Sequence, residues 1–221
     1  MKVLAENDYQ QLIEGAAVLS KDPHGDKVLQ LRDGNILKLF RIKRKVSSAR
    51  LWNYAQRFAS NARRLHKLGF TTVEMVDEFN APHIDRQCVV YKPLEGITLR
   101  DAMRTEFSQE RMNQFGHFVA ELHNRGVYFR AMHLNNVIVC PNGGLGLIDV
   151  SEMWIWPWKV GLWKSLRNFK HIVNKNDADI FWKTNMKQFR ESYLAARRMA
   201  GWKKALFSRK WSQYSIIGTP I

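Results

Sequence analysis

Cysteine is scarce in this chain of 221 residues, which contains only Cys88 and Cys140. The two form no CxxC motif, and neither lies at a spacing from histidine that suits zinc. Two cysteines also cannot supply the framework of a small disulfide-stapled fold. The sequence therefore excludes zinc-ribbon and disulfide-rich proteins and predicts a reducing, cytoplasmic environment.

Long apolar runs are absent as well. No window reaches about eighteen consecutive apolar residues, and the first ten residues, MKVLAENDYQ, arrive at Glu6 before an apolar segment can form. We therefore expect neither a secretory signal nor a membrane span. Apolar residues still make up 45% of the chain and aromatic residues 12%. That composition excludes a disordered or collagen-like chain and suits one domain or a small two-lobed enzyme.

Acidic residues are few relative to basic ones. The chain has 20 aspartates and glutamates against 35 lysines and arginines, a formal net charge of +15. Between Gly34 and Val73 there is no acidic residue at all, although ten basic residues lie there. An excess of this size is more than solubility requires and predicts a polyanionic partner. The candidates are nucleic acid, an anionic membrane surface, phosphorylated sugars and nucleotides.

The first half of the chain has a β-like pattern with one helix. Three short apolar runs, AAVLS, KVLQL and NILKLF, are separated by turn signals and predict an antiparallel hairpin with a third strand. Residues 48–68 have apolar side chains at intervals of three and four and stop at Gly69, which predicts a helix. Further strands are expected around TTVEMV and CVVYKPL.

The second half is mainly helical in character. Thr98 is a predicted N-cap with Asp101 three residues later, and residues 109–124 form an amphipathic pattern. The runs NVIVC and LGLIDV are joined by a Pro-Asn-Gly-Gly turn, which predicts a tight hairpin. We therefore predict an α+β fold with two lobes, a small β-rich lobe over residues 1–91 and a larger α-rich lobe over residues 92–221.

Three separate pieces of the sequence could act together on phosphate. Lys38 lies in an apolar strand, Asn136 lies in the loop YFRAMHLNNVIV, and Asp149 ends the second strand of the hairpin, thirteen residues after Asn136. A fixed ammonium can neutralise a phosphate group, and an oxygen-only pair suits Mg²⁺. Ordinary structural roles stay open as alternatives. Lys38 could be a solvated strand residue, and Asn136 and Asp149 could be turn or cap residues.

In this order the pieces resemble the protein-kinase-like fold, and within it the bacterial lipopolysaccharide-core kinase family, the Kdo and heptose kinase group with its toluene tolerance branch. The resemblance covers roughly residues 15–195 and is carried by five segments: DPHGDKVLQLRDGNILKLF, SARLWNYAQRFASNARRL, FRAMHLNNVIV, GLGLIDVSEM and SLRNFKHIV. It implies ATP-dependent phosphorylation of a lipid-linked lipopolysaccharide-core sugar by a cytoplasmic protein at the inner face of the cytoplasmic membrane.

The resemblance also assigns roles to individual residues. It implies ATP and Mg²⁺ as cofactors, with Lys38 on the phosphates and a hinge next to the nucleotide. The further assignments are Gly25 for the phosphate-covering turn, Val90 and Tyr91 for the hinge, Asn136 and Asp149 for magnesium, and Arg130 as a brace of the catalytic loop. Gly25 serves an ordinary hairpin turn equally well.

Two departures from active kinases stand out. The usual catalytic aspartate is replaced by Ala131, and the helix that normally offers Lys38 a glutamate lies in the stretch without acids. His133 is the nearest replacement base, and Glu152 is another candidate. The alternative to an atypical kinase is therefore a pseudokinase, a binding or regulatory module in envelope maintenance.

Tryptophans and basic residues in the last third of the chain predict contact with an anionic membrane surface. Trp154, Trp156, Trp158 and Trp163 are interleaved with lysines, and residues 192–211 hold six basic residues and no acid. Core packing and a merely solvated basic helix are the alternatives. Nucleic acid is a weaker candidate partner, since no RRM, KH or helix-turn-helix signature accompanies the charge.

Overall fold

A computed structural model describes residues 1–41, 53–172, 180 and 187–216 of the chain. The chain divides into two compact units. The first is Met1–Glu95 together with Leu147–Glu152, and the second is Gly96–Gly146 together with Met153–Ile221. The first unit is rich in strands and the second is mainly helical, which confirms the predicted α+β class.

The first unit contains a six-stranded sheet. Its strands are β1 (Lys2–Val3), β2 (Ala17–Asp22), β3 (Gly25–Gln30), β4 (Ile36–Arg41), β6 (Glu74–Ala81) and β7 (Arg86–Lys92), with the short β5 (Thr71–Thr72) outside it. The order across the sheet is β1-β6-β7-β4-β3-β2. Neighbours are antiparallel, except that β1 runs parallel to β6. The three runs predicted from residues 16–40 are confirmed as β2, β3 and β4.

Each face of this sheet is covered by a helix. Because successive side chains of a strand point to opposite faces, Leu37 and Leu39 point one way and Lys38 the other. The leucines join a core that includes Tyr9 of helix α1 (Glu6–Ile13). On the opposite face, Phe58 of helix α2 (Tyr54–Lys67) lies against the ring of Phe40 at a centroid distance of 6.0 Å.

Helix α2 begins at a side-chain cap. The Asn53 Oδ1 atom accepts a hydrogen bond from the backbone N–H of Gln56 at 2.7 Å, which satisfies one of the free N–H groups of the first turn. The helix ends at Lys67 before Gly69, whose φ of +78° favours glycine. The predicted helix over residues 48–68 is therefore confirmed from Tyr54 onward, and residues 42–52 lie outside the described part of the chain.

The helices after Gly96 are α3 (Leu99–Thr105), α4 (Gln109–Asn124), α5 (Leu162–Ile172), α6 (Lys187–Ala196) and α7 (Gly201–Ile216). The strands are β8 (Ile97–Thr98), β9 (Val127–Phe129), β10 (Val137–Val139), β11 (Leu145–Leu147) and β12 (Met153–Ile155). Thr98 caps α3 as predicted, because its Oγ1 atom accepts the backbone N–H of Asp101 at 3.1 Å. Helix α4 has the predicted bounds.

Aromatic rings form the core of the helical unit. Phe169 of α5 lies 4.8 Å from Tyr193 of α6 and 4.6 Å from Trp211 of α7, measured between ring centroids. Phe207 of α7 packs on the same ring at 5.5 Å and is fully buried. The basic C-terminal stretch therefore has one face inside the core, where its large rings stabilise the unit by apolar burial and edge-to-face contacts.

A buried polar network joins these helices to strand β9. The Nε2 atom of His123 lies 2.9 Å from Asn168 Oδ1, its Nδ1 atom lies 2.9 Å from the Tyr193 hydroxyl, and Asn168 Nδ2 donates to the Phe129 carbonyl at 2.7 Å. Burial lowers the pKa of His123 to about 3, so the ring is neutral at pH 7. Arg197 also donates to the Tyr193 hydroxyl, at 3.1 Å. The network fixes Phe129, the residue immediately before the loop 130–136.

Among the described helices, none combines the length and the apolar character that a membrane span requires.

Candidate functional site

The centre of the candidate site is an ion pair in the first unit. Lys38 of β4 is buried, with 6% of its surface exposed, and its Nζ atom lies 2.6 Å from Asp149 Oδ1. The side chain of Asp149 is 39% exposed. The sequence left Lys38 without a glutamate from helix α2, and Asp149 is the acid that takes that place. One member of the pair is thus fixed inside the unit and the other faces solvent.

Asp149 is held in an unusual backbone conformation. Its φ is +54°, a left-handed value that non-glycine residues rarely adopt and that aspartate tolerates better than most. Two buried side chains anchor the backbone on either side of it. Thr72 Oγ1 donates to the Leu147 carbonyl at 2.7 Å, and Asn61 Nδ2 donates to the Val150 carbonyl at 2.8 Å. The carboxylate is therefore positioned by strand β5 and helix α2 rather than by a loose turn.

Because Lys38 is buried, its charged form is unfavourable unless an anionic group lies next to it. Burial lowers the pKa of Lys38 and the nearby Lys27 lowers it further, whereas the Asp149 carboxylate opposes both effects. The rings of Phe40 and Phe58 lie 5.5 and 5.6 Å from the ammonium, within cation–π range. The ion pair with Asp149 therefore offsets part of the free-energy cost of burying this ammonium.

Gly25 lies at the turn between β2 and β3. Its φ of +114° lies in a region that favours glycine, and a Cβ atom there would meet no other atom within 4 Å, so backbone conformation is what requires glycine. The adjacent His24 is anchored from two other strands. Arg86 Nη2 donates to the His24 carbonyl at 2.7 Å, and Arg41 Nη1 lies 2.6 Å from His24 Nε2. The turn is therefore braced, and the two arginines were missed by the sequence analysis.

Val90 and Tyr91 lie in β7, the strand between β4 and β6. Val90 pairs with Leu37, and its side chain belongs to the core on the α1 face. The ring of Tyr91 lies 5.2 Å from that of Phe58 and therefore on the Lys38 face. Burial, together with the Asp149 carboxylate, raises the pKa of the Tyr91 hydroxyl, which stays neutral. Tyr91 thus lines the face that carries Lys38.

The loop 130–136 in the second unit is braced from within. Asn136 is buried, and its Nδ2 atom donates to the Ala131 carbonyl at 2.9 Å and lies 3.2 Å from His133 Nε2. The Asn136 N–H donates to the His133 carbonyl at 2.9 Å. His133 thus positions Asn136, whose Oδ1 atom is the one suited to a metal. Arg130 is exposed.

The predicted residues therefore form two groups. In the first unit Lys38 and Asp149 are in direct contact, and in the second His133 and Asn136 are in direct contact. Over the described part of the chain, no three histidines, cysteines, aspartates or glutamates gather in a way that could hold a metal ion. Mg²⁺, however, is commonly held by one or two carboxylates with phosphate and water oxygens completing its shell. Asp149 fits that use, with the remaining oxygens supplied by a ligand.

Comparison with known proteins assigns no family to the chain. No protein-family model matches it, and no curated protein matches it at a significant level. The kinase-like resemblance of the sequence accordingly stays a prediction.

Proposed function

We propose that the chain is a protein-kinase-like protein that binds ATP and Mg²⁺ in its first unit and transfers phosphate to a sugar of the lipopolysaccharide core. The observation that carries the proposal is the contact between Lys38 and Asp149. A buried ammonium that faces a half-exposed carboxylate offers one charge to phosphate oxygens and the other to a divalent cation. This is the pair of charges that phosphoryl transfer needs near the nucleotide.

The order of elements around the pair supports the same proposal. A glycine turn joins β2 and β3, the lysine follows in β4, helix α2 comes next, and β6 and β7 complete the sheet. Kinase-like proteins use the same succession, with the glycine turn over the phosphates and the lysine on the third strand. Tyr91 lies at the end of β7, as the hinge assignment expects.

The chemistry assigned to the residues is electrostatic. The Lys38 ammonium exchanges the Asp149 carboxylate for phosphate oxygens, and Asp149, held in place by Thr72 and Asn61, becomes available to a metal ion. When bound, Mg²⁺ would neutralise charge on the transferring group. The resemblance also assigns a metal-binding role to Asn136, whose contact with His133 engages the amide Nδ2 atom rather than Oδ1.

The acceptor and the location follow from the charge of the chain together with the resemblance. A net charge of +15 suits a substrate that carries phosphates on a lipid anchor. We therefore place the protein at the inner face of the cytoplasmic membrane, with the lipopolysaccharide core as acceptor.

A pseudokinase is the second candidate function, and Ala131 favours it. The loop offers no carboxylate at this position, and the Nε2 atom of His133, the nearest base, already accepts from Asn136. Restoring the acid by Ala131→Asp should raise phosphate transfer by about 10²–10⁴-fold, the usual contribution of a general base. Radiolabelled transfer from ATP to lipopolysaccharide core measures this gain. No gain with a competent acceptor would favour a binding module.

Calorimetric titration with MgATP tests the nucleotide site directly. We expect heat of binding for the wild type, and none for Asp149→Ala or when magnesium is chelated. Asp77→Ala is a matched control, because Asp77 also pairs with a lysine in this unit at 2.7 Å, but that lysine, Lys2, is exposed whereas Lys38 is buried. Equal binding by the wild type and Asp149→Ala would overturn the proposed site.

A further inference from the structure

Three tryptophans of the second unit lie on its surface. Trp158, Trp163 and Trp202 are 65%, 63% and 67% exposed. Each precedes a lysine in the sequence, and together these six residues are called the tryptophan surface: Trp158, Lys159, Trp163, Lys164, Trp202 and Lys203. Single exposed apolar side chains are common, whereas apolar groups that gather on one part of a surface mark binding sites.

The tryptophan surface is separate from the aromatic core. The other two rings of the cluster predicted from residues 154–163 both pack on Tyr128, Trp154 at 6.1 Å and Trp156 at 6.0 Å between centroids. Trp154 is 37% exposed, and Trp156 is partly buried. Trp211, from the basic C-terminal stretch, is buried against Phe169. Core packing therefore accounts for some of the tryptophans and leaves the exposed three unexplained.

The segment that carries Trp158 is held rigidly. The Trp156 N–H donates to the Gly126 carbonyl at 3.0 Å, and the Val160 N–H donates to the His123 carbonyl at 2.9 Å. Gly126 has a φ of +79°, and a Cβ atom there would collide with the carbonyl oxygens of Trp156 and Trp158. The backbone from residue 156 to residue 160 is thus fixed against the end of helix α4, with Trp158 at its outermost part.

Direct contacts link this segment to helix α5 and to Arg197 and Arg198, which lie between α6 and α7. Lys164 of α5 places its Nζ atom 4.1 Å from the centre of the Trp156 ring. Lys159 Nζ donates to the Arg198 carbonyl at 3.3 Å, and Arg197 Nη2 donates to the Val160 carbonyl. Helix α7 begins three residues after Arg198, at Gly201. The exposed tryptophans therefore lie on connected, well-anchored elements.

The charge around the tryptophan surface has one sign. Residues 153–172 contain four basic residues and no acidic one, and residues 192–216 contain six basic residues and no acidic one. Among the described residues, Glu121 of α4 forms an ion pair next to these segments, 3.4 Å from the exposed Arg198. The lysines of the surface keep their charge exposed beside the indoles, so the partner that complements them is anionic and can also accept aromatic rings.

We infer that the tryptophan surface binds an anionic lipid bilayer at headgroup depth. Tryptophan is enriched at this depth because its ring is apolar and its N–H is polar, and adjacent lysines gain from the negative surface potential of the leaflet. The inward faces of α5 and α7 are already filled by Phe169, Phe207 and Trp211, so the outward side chains are available to lipid. The inference does not depend on the nucleotide site.

Co-sedimentation with vesicles tests the inference, with mixed phosphatidylglycerol–phosphatidylcholine vesicles against pure phosphatidylcholine. We expect binding to the anionic vesicles, and a loss of about tenfold or more in Trp158→Ala/Trp202→Ala, since each ring buries roughly 150–250 Å². Phe107→Ala removes another exposed aromatic ring of the same unit and should bind as the wild type does. Removal of exposed rings should leave the unfolding temperature unchanged, which separates lost binding from lost folding.

Charge variants isolate the electrostatic part. Lys159→Gln/Lys203→Gln should lose about thirtyfold in affinity for the anionic vesicles, about 2 kcal/mol, because each basic residue near such a surface contributes about 1 kcal/mol. Lys21→Gln/Lys67→Gln removes the same charge from exposed positions of the first unit and should change little.

Three results would overturn the inference. In the first, the tryptophan and lysine variants bind the anionic vesicles as well as the wild type does. In the second, the wild type does not sediment with the anionic vesicles. In the third, the wild type binds an oligonucleotide but no vesicles. Self-association that the Trp158→Ala/Trp202→Ala variant loses would instead assign the surface to a second copy of the chain. MgATP titration of the tryptophan variants should match the wild type, so failure of this inference and failure of the nucleotide site are distinguishable.

Discussion

Two buried cations, one in each unit, have opposite surroundings. Lys38 faces a single half-exposed carboxylate and two aromatic rings. Arg197, 3% exposed, donates to neutral acceptors inside its unit: the Tyr193 hydroxyl, Asn124 Oδ1 at 2.6 Å and the Val160 carbonyl. Arg197 is thus satisfied by groups that the fold holds in place, whereas the partner of Lys38 is open to exchange. Arg197 is therefore a cation that the fold itself satisfies, and Lys38 is the cation that we propose for ligand binding.

Removal of Arg197 should have the largest effect on stability. Hydrogen bonds to charged groups contribute about 1.5–3 kcal/mol each, and Arg197→Met removes the bonds from the guanidinium to three acceptors. We expect a loss of about 4 kcal/mol in the free energy of unfolding, measured with urea. The control is Arg198→Met, since Arg198 is exposed and its ion pair with Glu121 should contribute about 1 kcal/mol or less. Similar losses in both variants would contradict the structural role of Arg197.

The hydrogen-bond network around His123 and Tyr193 predicts that the stability of the fold depends on pH. The folded pKa of His123, about 3, lies below the ordinary value of 6.5, so the unfolded chain takes up the proton first as pH falls. This contribution to stability is complete above pH 6.5 and is lost between pH 6.5 and about 3. At pH 5 we expect the wild type to have lost about 2 kcal/mol through this group. His123→Gln carries no titrating ring there, and an unchanged acid dependence in that variant would count against the network.

Replacement of Lys38 should have the smallest effect on the stability of the unliganded protein. Lys38→Met removes a desolvated charge, and the exposed side of Asp149 lets water solvate the carboxylate that remains. The free energy of unfolding should change by about 1 kcal/mol or less, in urea titrations beside Arg197→Met. A loss as large as that of Arg197→Met would make the ion pair structural and remove the contrast between the two cations.

Local patterns in the sequence predicted much of the fold. The bounds of α4, the cap at Thr98 and the strands β2, β3 and β4 all depend on neighbouring residues, since caps, turns and periodicity act within a few positions. Sequence patterns did not predict helix α1 or the parallel pairing of β1 with β6. Pairing of this kind depends on residues far apart in the chain, on which a local pattern carries no information.

The site was predicted less completely for the same reason. Lys38 and Asp149 were identified as candidates, but not as partners, because their contact depends on residues 147–152 packing with the first unit. Asn61 is a polar residue among the apolar residues that line one face of α2, where it donates to the Val150 carbonyl. A polar residue at such a position is the sequence feature that could have identified it. The helical pattern of the C-terminal stretch likewise did not show that Phe207 and Trp211 face inward while Trp202 faces solvent.

Thermal unfolding of the wild type and of Lys38→Met, each with and without MgATP, tests the central claim most directly. A ligand at one hundred times its dissociation constant should stabilise the folded chain by about 2.7 kcal/mol. We predict that MgATP raises the unfolding temperature of the wild type and leaves that of Lys38→Met unchanged, although both fold to the same extent without ligand. An equal shift in both, or no shift in the wild type, would contradict a nucleotide site at Lys38 and Asp149.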